Sequence, residues 1–226
     1  MASTWDILVI GGGIAGLSAA AALSRNAKVI VLEAEEQIGF HSSGRSATMV
    51  HYALGDRLVR ALTLASRPFF EQPPEGFTEV ALGHRVPVLV YAREDELAAL
   101  NELDAAIARF AELERLDARG VHELCPLLRD DAIHGIADRD GIRLDPHALL
   151  QSNLRELRRN GGELITNARV TTIGRGEGVW QTATEAGATH SAPVLVNAAG
   201  SWADQVAKLA GARPVGLRPL RRTIIT

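Results

Sequence analysis

The stretch that most constrains this chain is Ile7-Leu8-Val9-Ile10-Gly11-Gly12-Gly13-Ile14-Ala15-Gly16, followed by Lys28-Val29-Ile30-Val31-Leu32 and then Glu33. Ile7–Ile10 is uncharged and rich in β-branched residues, as a strand buried on both faces of a parallel sheet must be. Gly11 permits a tight turn, Gly13 lets backbone approach a pyrophosphate, and Gly16 lets a helix pack close to the strand. The amides of Ile14 and Ala15 then sit at a helix N-terminus, where negative charge is favoured. An alanine-rich helix is expected over residues 14–24, with Asn26 as a left-handed cap. Glu33 follows Gly13 by about twenty residues, the place from which a carboxylate accepts ribose hydroxyls and repels a 2′-phosphate. The four features together predict a βαβ unit that binds an adenine dinucleotide. They do not choose between nicotinamide and flavin.

Charge and composition narrow the partners. Lys and Arg number 24 against 27 Asp and Glu, a formal charge of −3, so no electrostatic footprint for nucleic acid is present. A single cysteine, Cys125, forms no internal disulfide and fits a reducing, cytoplasmic setting. With Leu124, Pro126 and Leu127 around it, a buried structural thiol is expected. The uncharged run 7–23 lacks a preceding basic region and is shorter than the roughly 20 apolar residues of a membrane span. No transmembrane segment is expected. Seven histidines show no paired ligand spacing, and neither a Gly-x-Ser-x-Gly elbow nor a Walker lysine occurs.

Downstream of Glu33 and Ala34, the loop His41-Ser42-Ser43-Gly44-Arg45-Ser46-Ala47 is dense in hydroxyls and carries one arginine. It is a second clamp for a phosphate-bearing cofactor, or an ordinary solvated loop. Residues 56–70 read as a helix with Leu58, Ala61, Leu62, Ala65 and Phe69 on one side. Strands are expected at 78–81 and 86–92, a long helix at 94–116, a helical turn at 121–127 and strands at 133–137 and 141–144. Asp145 and Pro146 open a helix that carries Leu150, Leu154 and Leu157 on one face, with Arg158, Arg159 and Gly161 at its end. Strands follow at 163–166, 170–173, 180–184, 189–192 and 194–196, with a glycine-rich turn at 174–178 and a terminal strand at 223–225. Small residues Asn197-Ala198-Ala199-Gly200 allow close backbone approach.

Taken with Gly39-Phe40-His41-Ser42-Ser43-Gly44-Arg45-Ser46-Ala47 and with Val194-Leu195-Val196-Asn197-Ala198-Ala199-Gly200-Ser201-Trp202, the run 7–33 resembles the FAD-dependent D-amino acid oxidase and dehydrogenase family. Bacterial D-arginine dehydrogenases are the nearest likeness. The resemblance implies FAD as cofactor and an α/β chain: a Rossmann-like FAD-binding domain with an inserted α+β substrate domain, the C-terminal part of the family fold missing. It places the FAD-binding domain at 1–72 and 141–212, the inserted domain at 73–140, and the start of a second substrate-domain segment at 213–226. It assigns the pyrophosphate to the glycine loop, the ribose to Glu33, the flavin to the loop 41–47, and a backbone contact with adenine to Val170. Ala34, Ala199, Gly200 and Trp202 join the cofactor set, and Arg221 and Arg222 become the clamp for a substrate carboxylate.

Two departures bear on substrate. Met49 stands where the D-arginine enzymes carry a histidine, with His51 two positions later, and no acid occurs near Arg85-Val86-Pro87 to meet a guanidinium. The expected substrate is therefore a less basic or more apolar D-amino acid, oxidised at its C–N bond by hydride transfer from the α-carbon, with Met49, His51, Arg221 and Arg222 on the substrate side. Family members continue well past residue 226, so a fragment, or a second chain that completes the site, is expected. A secondary-amine oxidase of the sarcosine or glycine type, a non-catalytic flavoprotein subunit and an NAD-dependent dehydrogenase are the alternatives. Association with the periphery of the inner membrane is compatible with these readings.

Overall fold

The computed structural model describes residues 5–220. Along the chain run β1 (Ile7–Ile10), α1 (Ile14–Leu23), β2 (Val29–Leu32), β3 (Met49–Val50), α2 (Arg57–Glu71), β4 (Gly83–Arg85) and β5 (Val88–Ala92). Then come α3 (Leu97–Ile107), β6 (Glu114–Leu116), α4 (Ala118–Leu124), β7 (His134–Asp138), β8 (Ile142–Leu144) and α5 (Pro146–Arg159). The described chain closes with β9 (Glu163–Ile165), β10 (Val170–Gly176), β11 (Val179–Thr184), β12 (Thr189–Ala192), β13 (Val194–Asn197) and α6 (Ala203–Leu209). Two compact units divide it: Met1–Ala47 with Pro146–Thr226, and Thr48–Asp145.

In the first unit four parallel strands lie in the order β13-β1-β2-β9, with Ile7 opposite both Val29 and Val194. Strand residues alternate between two cores, as a two-residue period requires. Ile7, Val9, Val29 and Val31 pack with Leu17 and Ala20 of α1 and with Leu150, Leu154 and Leu157 of α5. Leu8, Ile10, Ile30 and Leu32 pack on the opposite face with Ala168, Ala192 and Val206. Burying Leu157 completely contributes about 2–3 kcal/mol. The antiparallel sheet β10-β11-β12 belongs to the same unit.

The helix grammar holds in part. Pro146 opens α5, Arg158 and Arg159 lie in its last turn, and Gly161 takes a φ of +80° beyond it. Asn26 is not left-handed: α1 ends at Leu23, the amide of its cap residue Ser24 donates to Ala20, and the Asn26 amide closes a turn on Leu23. Residues 174–176 extend β10 rather than forming a turn, which falls at Glu177 and Gly178. Residues 42–45 of the hydroxyl-rich loop form a 3-10 turn.

The second unit holds two three-stranded antiparallel sheets, β3-β8-β4 and β5-β7-β6, and a core of Tyr52, Ala92, Leu100, Ile107 and Ile136. The helix expected over 94–116 stops at Ile107. Phe110 and Ala111 both donate backbone amides to Ile107, and Glu114–Leu116 pairs with β7. No strand forms at 78–81; the strand is Gly83–Arg85, which finds a partner in β8. Asp56 caps α2, its carboxylate accepting from the amides of Leu58 and Val59 at 2.9 and 3.0 Å. The apolar side expected there is not a core: no residue of α2 is buried, and Leu58 and Leu62 are 67% and 59% exposed. Cys125 is half-buried rather than buried.

The units part at 47/48 and 145/146, against expected divisions at 72/73 and 140/141, so α2 belongs to the second unit. Strand pairing is the reason. Met49 and Val50 lie opposite Arg143 and Ile142, and the Leu144 amide donates to the Thr48 carbonyl at 2.9 Å. The two ends of the inserted segment are thus bound to each other.

Candidate cofactor site

The site grows from the turn after β1. Gly11 has a φ of +113°, and a Cβ there would lie 2.3 Å from the carbonyl oxygen of Ala198, so only glycine serves. A Cβ on Gly16 would lie 1.9 Å from the Gly11 carbonyl oxygen, which fixes the close approach of α1 to the strand. Gly13, at the N-cap position of α1, offers no side chain to cap it, and the first turn holds no acid. The amides at this end favour negative charge, and the Glu33 carboxylate on the Gly12 amide is the acid beside them. The Ile14 amide meets the Ser43 hydroxyl oxygen at 3.0 Å, so the hydroxyl hydrogen of Ser43 stays available for an acceptor.

Glu33 sits at the end of β2, buried, and uses both carboxylate oxygens. Oε2 accepts from the Gly12 amide at 2.5 Å, and Oε1 from the Glu35 amide at 2.9 Å. Glu35 in turn accepts from His41 Nε2 at 3.1 Å and from Arg169 Nη2 at 3.2 Å, both on Oε1. The hydrogen bond from His41 does most to hold the Glu35 carboxyl below its ordinary value; desolvation opposes it, and the charges of His41 and Arg169 add to the lowering. The His41 ring lies 5.1 Å from Phe40, edge on, and 4.5 Å from Trp202.

These groups surround a cavity of about 410 Å³, within the range of cofactor pockets. Of the residues singled out from sequence, Gly11, Gly13, Ile14, Ala15, Glu33, Ala34, His41, Ser42, Ser43, Val170, Ala199, Gly200 and Trp202 line it. Gly16 lies beneath it as a packing position. Arg45 does not line it but stacks its guanidinium over Phe40 at 4.9 Å, and Ser46 and Ala47 do not line it either. Met49 and His51 are in the second unit. Met49 is a strand residue opposite Arg143, while His51 borders a void of about 10 Å³ with Tyr52 and Asp138. Burial pushes the His51 imidazole below its ordinary value, partly offset by Asp138. Arg221 and Arg222 lie outside the described residues.

Sequence reasoning missed Glu35, Phe40, Arg169 and the α6 residues Gln205, Val206 and Leu209. An extended chain puts residues 33 and 35 on one side, a signal that could have marked Glu35. Nothing local could have marked Arg169 or α6. Among the described residues no three His, Cys, Asp or Glu side chains gather as metal ligands, and no helix is long and apolar enough to cross a membrane.

A bare glycine turn, a helix N-terminus and a buried strand-end carboxylate along one cavity are the donor and acceptor set of a dinucleotide with a pyrophosphate. Residues 6–226 match the family model DAO, FAD dependent oxidoreductase. The chain belongs to that family. FAD is the family's cofactor, and the residues present fit it. The match to L-2-hydroxyglutarate dehydrogenase of Escherichia coli O17:K52:H18 is 24% identical over 221 residues, covering 93% of this chain and 51% of that protein. For glycerol-3-phosphate dehydrogenase 1 of Mycobacterium tuberculosis H37Rv the figures are 25%, 89% and 42%. The chain thus spans about half the length of the curated relatives it matches, or less. Among solved structures, L-alpha-glycerophosphate oxidase from Mycoplasma pneumoniae with FAD bound superposes with a TM-score of 0.83 at 21% identity, covering 93% of this chain and 58% of that one. Glycine oxidase from Geobacillus kaustophilus gives 0.79 at 19%, covering 92% and 58%. At these identities the likeness shows the fold.

Proposed function

We propose that the first unit binds FAD in the 410 Å³ cavity and that the protein oxidises the C–N bond of a D-amino acid of low basicity. The observation that carries the cofactor assignment is the buried Glu33 carboxylate anchored by the Gly12 amide beside the start of α1. In this reading the amides at the start of α1 and the hydroxyls of Ser42 and Ser43 hold the pyrophosphate, Glu33 the ribose, and the Val170 backbone the adenine. Arg45, Ser46 and Ala47 shape the loop rather than touch the cofactor. FAD, when bound, supplies a two-electron acceptor for the α-carbon hydride. No nucleophile is required of the protein, whose task is to align the C–H bond and hold the carboxylate. Arg221 and Arg222 are assigned to that carboxylate, and Met49 and His51 to the substrate side. The single cysteine favours a reducing, cytoplasmic setting.

A second reading is oxidation of a C–OH group, favoured by the curated relatives, which are named for 2-hydroxyglutarate and glycerol 3-phosphate. One experiment tests both. The purified protein is expected to absorb near 450 nm, and anaerobic mixing with a panel of D-amino acids, glycine, L-2-hydroxyglutarate and glycerol 3-phosphate is expected to bleach that band with an uncharged D-amino acid. Bleaching by a hydroxy compound alone establishes the second reading. A colourless protein that takes up no added FAD defeats the cofactor assignment.

A further inference from the structure

The cavity wall contains a group of side chains that the dinucleotide-binding motif does not account for. Glu35 follows the ribose acid by two residues, and its amide holds Glu33 Oε1. Its carboxylate oxygen Oε1 is shared by His41 at 3.1 Å and Arg169 at 3.2 Å, the last reaching it from 134 residues away in sequence. Arg169 is kept in place by a second acid, Glu185, at 3.8 Å. The His41 ring, so held, lies 4.5 Å from the Trp202 ring. Both rings line the cavity, as do Glu35 and Arg169.

A free imidazole on a surface loop samples several rotamers, and a charge-assisted hydrogen bond to one ring nitrogen selects a rotamer and a tautomer together. We propose that Glu35 is a positioning residue for the cofactor: held by Arg169, it fixes the His41 ring against Trp202, and the paired rings form a wall for the adenosine end of FAD, not for the flavin that the resemblance implies for this loop. The proposal rests on the FAD reading above. Flat aromatic surfaces suit a heteroaromatic ring, and their value depends on their being preset before binding. The charge of Glu35 is met on two sides, by His41 and by Arg169.

The test measures FAD affinity and the emission of Trp202 in the full chain. Glu35→Gln and His41→Ala are each expected to weaken FAD binding about tenfold, the loss of one charge-assisted contact. The double variant is expected to be no weaker than His41→Ala alone, because Glu35 acts through His41. In a Trp5→Phe, Trp180→Phe background without FAD, Glu35→Gln is expected to shift Trp202 emission. Arg169→Gln should move both readouts in the same direction, and it serves if Glu35→Gln does not fold. Wild-type affinity in Glu35→Gln, or losses that multiply in the double variant, would overturn the proposal. If the wild-type protein takes up no FAD, the function proposed above falls, and unchanged Trp202 emission in Glu35→Gln would then overturn the positioning role as well.

Discussion

The Gly12 amide donates to Glu33 Oε2 across 2.5 Å, joining the turn after the first strand to the acid at the end of the second. The acid therefore has a structural task besides any ligand. Glu33→Ala leaves two amides without their acceptor, that of Gly12 in a buried place and that of Glu35 in a half-buried one. We expect a loss of roughly 2–3 kcal/mol in unfolding free energy and at least a tenfold weaker FAD affinity. Chemical denaturation and FAD titration measure the two separately. Unchanged stability would show that the anchor is idle.

Gly16 is expected to be the least replaceable residue of the turn. A methyl group there meets the Gly11 carbonyl, a backbone atom that cannot step aside, so Gly16→Ala should cost about 3 kcal/mol or prevent folding. Gly174→Ala is the control, since nothing lies within 4 Å of its would-be Cβ, and its midpoint of denaturation should stay within about 0.5 kcal/mol of wild type.

How far these features were legible in sequence differs residue by residue. The turn, Glu33 and the strands that flank α1 are local: each is declared by residues within a few positions, and the alternation of Ile7 and Val9 against Leu8 and Ile10 fixes two cores at once. Residues 108–116 misled because Ala, Glu, Leu and Arg favour a helix intrinsically, while the strand at Glu114–Leu116 exists by virtue of pairing with β7, twenty residues away in sequence. Residues 78–81 erred the other way, since alternation without a partner makes no strand. Arg169 on Glu35 and α6 along the cavity are products of the fold, and no short-range pattern encodes them.

Asp204 supplies a pH-dependent clasp. Its carboxylate accepts from the amides of Val215, Gly216 and Leu217 at 2.9, 2.9 and 2.8 Å, and these bonds, that from Val215 first, hold it below its ordinary value of 3.8. A carboxyl depressed in the folded state contributes stability that is complete above the unfolded value and disappears as pH falls through the folded one. Asp204→Asn should therefore be less stable than wild type at neutral pH, and the gap should close below about pH 4. Denaturation midpoints across that interval decide it; a gap independent of pH would contradict the assignment.

Ser43 should report on the cofactor without disturbing the fold. Its hydroxyl accepts from Ile14 at the start of α1, so Ser43→Ala removes one acceptor at a half-buried place. The expected result is roughly fivefold weaker FAD binding, about 1 kcal/mol, with a cooperative unfolding transition retained. Calorimetric titration measures the first and thermal denaturation the second.

The pairing of β3 with β8 also bears on descent. Because Thr48 and Leu144 are hydrogen-bonded neighbours, the whole segment between them leaves and rejoins the chain through a single doorway. A cassette with such ends can be lengthened, exchanged or rebuilt by recombination while the reading frame of the nucleotide-binding half runs on across a short splice. The length of that cassette is thus free of the sheet β13-β1-β2-β9, whose strands all lie outside it.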